Sequence, residues 1–339
     1  MSSINKICTR CVMDTSDPEI VFDSGGVCNH CYQFDKAWAE VLKQRNSSLD
    51  IPRSKGRFDV LIGLSGGVDS SLALHYLIER GLRPLAFSID NGWNTPEADE
   101  NIMRLVETLK VPFFRYTIDI DKFKNLQWAF VQSGTPNIEI PTDHILMAAS
   151  YELARKHNIK TIISGGNVAT EGVMPKEWGY NARDLKFIQS VAKWAGVKIK
   201  GYPTISIWRY LYLRFLRGIR VINILDYYDY DRAAAIELLE QTYGYKPYGE
   251  KHCESKFTKW FQEYYLIHKF GYDKRRAHYS SLINSGQMSR TAAIESLQPF
   301  PMNSGCFWKL PLEKRTHRDF PNQEWLWNSL SRLYAFSKK

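Results

Sequence analysis

Phe58-Asp59-Val60-Leu61-Ile62-Gly63-Leu64 runs without a break into Ser65-Gly66-Gly67-Val68-Asp69-Ser70-Ser71. An apolar run of strand length turns into a helix through a loop rich in glycine and hydroxyls. Gly66 and Gly67 adopt backbone angles closed to other residues and let a ligand approach the chain. The amides beyond them point out of a helix start, where the macrodipole favours an anion. Ser65, Ser70 and Ser71 add hydroxyl donors. Asp69 is the exception, because a carboxylate repels phosphate unless a Mg²⁺ sits between the two. No Gly-Lys-Ser/Thr follows, so the loop is not a Walker A motif. Helix capping alone needs one Ser or Asp, not the whole array.

Outward from this junction, strands and helices alternate, which predicts an α/β fold with a doubly wound, mostly parallel sheet. Strands are expected at 59–64, 84–89, 113–118 and 161–164. Helices are expected at 70–79, from Pro96, around 123–132 and at 143–157, the last with Ile145, Leu146, Ala149 and Leu153 on one face. In such sheets ligands bind beyond the carboxyl ends of strands. Three segments have that position: the 65–71 loop, Asp90-Asn91-Gly92-Trp93, and Gly165-Gly166-Asn167-Val168-Ala169-Thr170-Glu171. Asp90 and Asn91 are also favoured turn residues, so a plain turn competes with a binding role there. Glu171 is the second carboxylate that a magnesium–phosphate site needs.

Near the N-terminus, Cys8-Thr9-Arg10-Cys11 and Cys28-Asn29-His30-Cys31 form two C-x₂-C knuckles sixteen residues apart. That is the spacing of a Cys₄ zinc ribbon. Each knuckle presents two thiolates to one tetrahedral ion, and four thiolates close the site against catalysis. A module this small takes its folding energy largely from the metal. Iron accepts the same geometry and stays open. A redox pair fits less well, since no thioredoxin-like unit surrounds the motif. His30 is a spare donor in an already complete set. Cys253 and Cys306 stand alone and read as small hydrophobes or incidental thiols.

The 339 residues carry 44% hydrophobic and 24% charged side chains, ordinary for a folded protein, and a net charge of +9, which favours an anionic partner. Met1 to Lys6 leads into the cysteines with no apolar signal core, so cytoplasmic residence is expected and disulfides are not. Arg209, Arg214, Arg217 and Arg220 interrupt the apolar stretch 205–225 too often for a membrane span. A surface-lying amphipathic segment remains an alternative, giving peripheral membrane contact. The favoured reading is a helix packed on the sheet followed by a buried strand at 220–225.

From about 231 the chain turns helical, aromatic and basic, which suggests three regions: a ribbon with a short helix (1–45), a sheet domain (55–230) and a helical region (231–339). One long helix is expected to open within Lys251–Trp260 and run to Phe270. The next starts at Gly271-Tyr272-Asp273, with Lys274, Arg275 and Arg276 in its first turns. Cations there oppose the macrodipole, so they are either solvated or held for an anion. Ser289 caps a last helix, 290–297.

The SGGVDSS loop resembles the pyrophosphate loop of the N-type ATP pyrophosphatases, which split ATP between its α- and β-phosphates. Together, the ribbon, that loop, the Ile163-Ser164-Gly165-Gly166-Asn167-Val168-Ala169-Thr170-Glu171-Gly172 strand end and the tail from Lys251 to Arg290 resemble the N-acetyl sugar amidotransferase family. The resemblance covers Cys8 to about Leu297 and implies a PP-loop sheet of the adenine nucleotide alpha-hydrolase-like kind. It also implies ATP, Mg²⁺ and Zn²⁺ as cofactors and an acetamido sugar as substrate, made into an acetamidino sugar for bacterial surface polysaccharides or nonulosonic acids. Ser65, Gly66, Gly67, Val68, Asp69, Ser70 and Ser71 would hold phosphates, with Asp69 and Glu171 on magnesium. Asp90 and Asn91 would flank the nucleotide on one side, Gly165 and Asn167 on the other. Lys256, Arg275 and Arg276 are candidates for an anionic sugar. The chain has no evident Cys–His–Glu glutaminase arrangement, so a separate glutaminase pair is expected to supply ammonia. Two other readings compete. A tRNA thiolase needs reactive cysteines, for which only Cys253 and Cys306 are available. A non-catalytic nucleic-acid-binding ribbon protein leaves Asp69 without a purpose, so nucleic acid is not the expected partner.

Overall fold

The computed structural model describes residues 6–248, 254–298 and 313–336, with side chains of the last helix described to 332. Five parallel strands form one sheet: β1 (Val60–Gly63), β2 (Pro84–Asp90), β3 (Phe113–Thr117), β4 (Thr161–Ser164) and β5 (Arg220–Asn223), in the order β3-β2-β1-β4-β5. The order reverses between β1 and β4, so their carboxyl ends diverge into a crevice. The first four expected strands lie within a residue of the observed ones. The fifth differs: β5 is an edge strand with alternating exposure, not a buried one, and Val221 faces out. Pairing with β4 on one side only leaves its second edge unpaired.

Alternate residues of β1 and β4 enter opposite cores, as the pleat requires. Val60, Ile62 and Ile163 pack with α2 (Val68–Glu79) and α3 (Pro96–Thr108). Leu61, Phe87 and Ile162 pack with α5 (Ile140–Lys156). α4 (Ile120–Ser133) is capped by Asp119 and ended by Gly134 in the left-handed region. Short α6 (Val168–Glu171) follows β4 directly, then α7 (Leu185–Trp194) and α8 (Ile207–Leu211), which continues through a π turn, Tyr212–Leu216. Arg232–Tyr243 forms α9. The expected long helix begins at Ser255, whose hydroxyl caps it, as α10 (Lys256–Trp260), and runs through a second π turn into α11 (Leu266–Phe270). Then come α12 (Lys274–Asn284), α13 (Arg290–Ser296, capped by Ser289) and a helix the sequence reading missed, α14 (Glu324–Phe336). Among the described residues no helix is long and apolar enough to cross a membrane.

The ribbon is clasped by this tail. Its second knuckle opens α1 (Asn29–Arg45). Arg290 donates to the carbonyls of Cys8 and Cys11, both at 3.0 Å. Arg276 pairs with buried Asp14 at 3.1 Å and donates to the Val12 carbonyl at 2.8 Å. The Val12 amide in turn donates to Ser280 Oγ at 3.2 Å. Phe34 of α1 packs so tightly behind α6 that a Cβ on Gly172 would lie 2.6 Å from its ring.

Candidate functional site

The 65–71 loop is held from behind by two close approaches that only glycine permits. Gly66 has φ +81°, and a Cβ there would stand 2.3 Å from the Ala98 carbonyl in the first turn of α3. A Cβ on Gly165 would stand 2.9 Å from the Ser70 amide, so the loop after β4 presses on the start of α2. Between these contacts the loop bonds to itself. The Gly67 amide donates to Ser65 Oγ at 3.2 Å, and Ser70 Oγ donates to the Gly67 carbonyl at 3.2 Å. No side-chain oxygen caps α2 at Gly67. Its first-turn amides are therefore available to an anionic ligand, as at other phosphate-binding helix starts.

A cavity of about 480 Å³ opens here, lined by Ser65, Gly67, Val68, Asp69, Ser70, Gly165 and Glu171. Asp143 and Leu146 from α5 join them, with Arg232, Tyr245, Tyr248 and Glu254 from the tail. Asp69 and Glu171 thus share one cavity across the β1/β4 switch point. Tyr230, itself buried, donates its hydroxyl to Asp69 Oδ1 and fixes that carboxylate. Asp226, also buried, accepts from the Val168 amide at 2.9 Å and holds the start of α6, whose last residue is Glu171. Burial pushes the Asp226 carboxyl above the usual carboxylate range. Carboxylates from α2 and α6 beside open amides fit a hard dication bridging to phosphate.

Some expected residues support the cavity without lining it. Gly66 and Ser71 brace the loop, and the Ser71 amide bonds the Gly67 carbonyl at 3.1 Å. Asn167 is buried and caps α6, accepting from the Thr170 amide at 2.9 Å. Others lie elsewhere. Asp90 and Asn91 accept from the amides of Gly92 and Trp93 in successive turns, so the turn role is the observed one. They follow β2, one strand away from the switch point. Arg275 pairs with its own cap, Asp273, and with the Gln298 carbonyl. Arg276 is the clasp on the ribbon. Lys256 is exposed, and its amide bonds the Trp93 carbonyl at 2.9 Å. None of these five lines the cavity. Leu146 of α5 is 43% exposed and lines the cavity.

Of the basic run at α12, the residue turned toward the site is Lys274. Burial lowers its affinity for a proton, while Asp143, Glu139 and Glu171 pull the other way. Its ammonium lies 5.5 Å from the Phe261 ring centroid. Arg232, Tyr248 and Glu254 were also missed by the sequence reading, since no local pattern marks a loop that folds back over a distant glycine. The return is explicit: Glu254's carbonyl accepts from Thr95 at 2.9 Å, and a Cβ on Gly67 would lie 3.0 Å from Tyr248 Oη.

The ribbon offers a second centre. Cys8, Cys11, Cys28 and Cys31 are buried, with all four sulfurs within 4.8 Å of one another. Three separations are 3.6, 3.8 and 3.9 Å. A tetrahedron with Zn–S of about 2.3 Å has edges of about 3.8 Å, so the donor set fits zinc. Amides of Arg10, Cys11 and Cys28 point at Cys8 Sγ, as a thiolate requires. Hydrogen bonding from Cys11 draws the Cys28 thiol down to about 4, while the Cys11 side chain pushes Cys8 up to about 12. A dication that takes all four as thiolates removes this conflict. His30 is no ligand: its Nε2 lies 2.6 Å from buried Asp17. Cys253 and Cys306 fall outside the described residues.

Residues 254–334 match the family model described as LPS biosynthesis protein WbpG-like, C-terminal domain. Among solved structures, NMN synthetase from Francisella tularensis aligns at 18% identity and TM-score 0.31, over 66% of this chain and 98% of that one. A predicted subunit of tRNA methyltransferase from Methanocaldococcus jannaschii aligns at 18% and 0.31, over 53% and 73%. The NH₃-dependent NAD synthetase from Campylobacter jejuni aligns at 17% and 0.29, over 66% and 100%. No curated protein matches the sequence.

Proposed function

We propose that this chain, an ATP-using enzyme of a PP-loop amidotransferase-like family with a WbpG-like tail, converts the acetamido group of a sugar into an acetamidino group. The observation that carries this reading is the shared wall. Glu254, where the match to the lipopolysaccharide-biosynthesis domain begins, lines the same cavity as the phosphate loop. The region similar to that domain therefore contributes to the wall of the cavity suited to ATP.

An amide oxygen is a poor leaving group, so ammonia does not displace it directly. Attack of the acetamido oxygen on the α-phosphorus of ATP forms an O–P bond and breaks the α–β bridge, releasing pyrophosphate. Ammonia then adds to the imidate carbon, loses protons to the surroundings, and AMP leaves with the oxygen. Open amides at the start of α2, with Ser65 and Ser70, would bind the β,γ-phosphates. Asp69 and Glu171 would hold Mg²⁺, which supplies charge neutralisation and a template when bound. Tyr230 keeps Asp69 in one orientation. Arg232 is the cation suited to a phosphate or an acidic group of the sugar, and Lys274 balances the carboxylates of the acid-rich wall. Leu146 and Tyr245 provide the apolar surface that limits water. Ammonia would come from a separate glutaminase partner, and the zinc ribbon would act as a structural brace.

The test is incubation of the protein with ATP, ammonium and a panel of acetamido sugars, read by mass spectrometry and nucleotide chromatography. The expected result is one sugar that exchanges oxygen for NH, with AMP and pyrophosphate in equal amounts. ADP in place of AMP would overturn the assignment. Use of glutamine by the purified chain alone would remove the separate glutaminase.

A further inference from the structure

The positive charge of this chain is concentrated in one stretch. Residues 185–225 carry four lysines and four arginines without a single Asp or Glu, against a net charge of +9 for the whole chain. Within that stretch, α8 and its π turn bury Ile207 and Leu213 and set Tyr210 against Tyr151 and Trp327. The opposite side is apolar as well. Trp208, Tyr212 and Leu216 follow one another at four-residue spacing and are 73, 39 and 80% exposed, with Phe215 beside them at 59%. A surface helix ordinarily turns polar residues to water. Exposed Trp, Phe and Leu in one cluster mark a surface that meets something apolar.

Cations surround that cluster. The Arg209 guanidinium lies 5.6 Å from the Tyr212 ring centroid, with Glu152 at 3.6 Å as its carboxylate neighbour. Arg214 and Arg220 are anchored at this edge through the carbonyls of Ile219 and Asp50. Val221, on the neighbouring edge strand, is 47% exposed.

We propose that this face docks on an anionic lipid surface, with Trp208, Phe215 and Leu216 in the interfacial layer and the arginines against headgroups. Tryptophan favours that layer, and basic side chains are drawn to a negatively charged leaflet. A nucleic acid would stack on the aromatic rings but has no use for Leu216, the most exposed of the set. A partner protein with an apolar face does not call for Arg209, Arg214 and Arg220 along the same edge.

Vesicle co-sedimentation of the full chain tests this, with phosphatidylglycerol–phosphatidylcholine vesicles set against phosphatidylcholine alone. Binding is expected only to the anionic vesicles, and it should weaken in high salt. The pair Arg209→Glu and Arg217→Glu should weaken it by about tenfold or more. The pair Trp208→Ser and Leu216→Ser should weaken it comparably while thermal unfolding stays cooperative; if that pair does not fold, Phe215→Ser replaces it. Absence of binding, or equal binding to both vesicle types, overturns the proposal. So does loss through the charge variants alone, which marks a general polyanion surface and predicts equal competition by RNA. A stable dimer in solution that the apolar variants dissociate assigns the face to a second copy and overturns it too.

Discussion

Phe87 in β2 and Cys28 in the ribbon are both fully buried, and they are buried for opposite reasons. Phe87 sits among apolar side chains of the sheet core, with Gly63 beneath its ring, and its burial stabilises by removing hydrocarbon from water. Cys28 sits among three other sulfurs, and its burial stabilises only if an ion accepts four thiolates. The sheet would keep its shape without any ion in the ribbon, whereas a metal-loaded ribbon would depend on that ion, on Arg290 at the first knuckle and on Arg276 beside it. The acid-lined cavity stands between these two regimes. α6, which ends in Glu171, leans on α1 and α12, so the ribbon supports one wall of the site.

The largest expected effect separates the two regimes directly. Replacing both Cys28 and Cys31 by Ser removes a closed zinc site, worth about 10–16 kcal/mol in isolated small ribbons. Metal analysis should fall from one zinc per chain to none, and amide exchange should rise over residues 8–31 while β1 and β2 stay protected. Uniform loss of protection would merge the two regions into one cooperative unit. Next, Phe87→Ala should cost about 3–5 kcal/mol in chemical unfolding and leave zinc content unchanged. Asp69→Asn comes third, and it should reduce AMP formation about 10²- to 10³-fold with no change in stability. A variant with wild-type turnover would move the metal-binding role away from this carboxylate.

The smallest effect is set by pH. Asp59 precedes β1 and is held at about 2 by the Arg83 guanidinium, which lies 2.7 Å away. The ordinary carboxylate value is about 3.9, so the pair contributes fully above about pH 4 and its contribution is lost as pH falls toward 2. Unfolding temperature should drop through that window, and Asp59→Asn should flatten the drop.

Periodicity and glycine placement made the strands readable because each depends on its own few residues. β1, β2 and β4 announce themselves as short apolar runs, and the spacing of the four cysteines suffices for their cluster. What escaped depends on rotation and on distance. In Lys274-Arg275-Arg276 three adjacent cations leave α12 in three directions, and packing of Ala277 and Ser281 decides which one comes under the influence of Asp143, Glu139 and Glu171. Asp90 and Asn91 have the composition of a binding turn, but the strand order places β2 beside the crevice rather than at it. Tyr248 and Glu254 reach the loop from far along the chain, where no local pattern records the meeting. α14 lies beyond the part of the tail that carried a resemblance.

The return of Tyr248 and Glu254 to Gly67 has a consequence for how the molecule is made. The loop emerges from the ribosome early, but its covering wall is synthesised about 190 residues later. At about 5–20 residues per second that is a delay of roughly 10–40 s. Arg290, which grips the first knuckle, arrives later still. The growing chain therefore carries an unfinished cavity through about half of translation, and a product truncated before residue 245 cannot complete it.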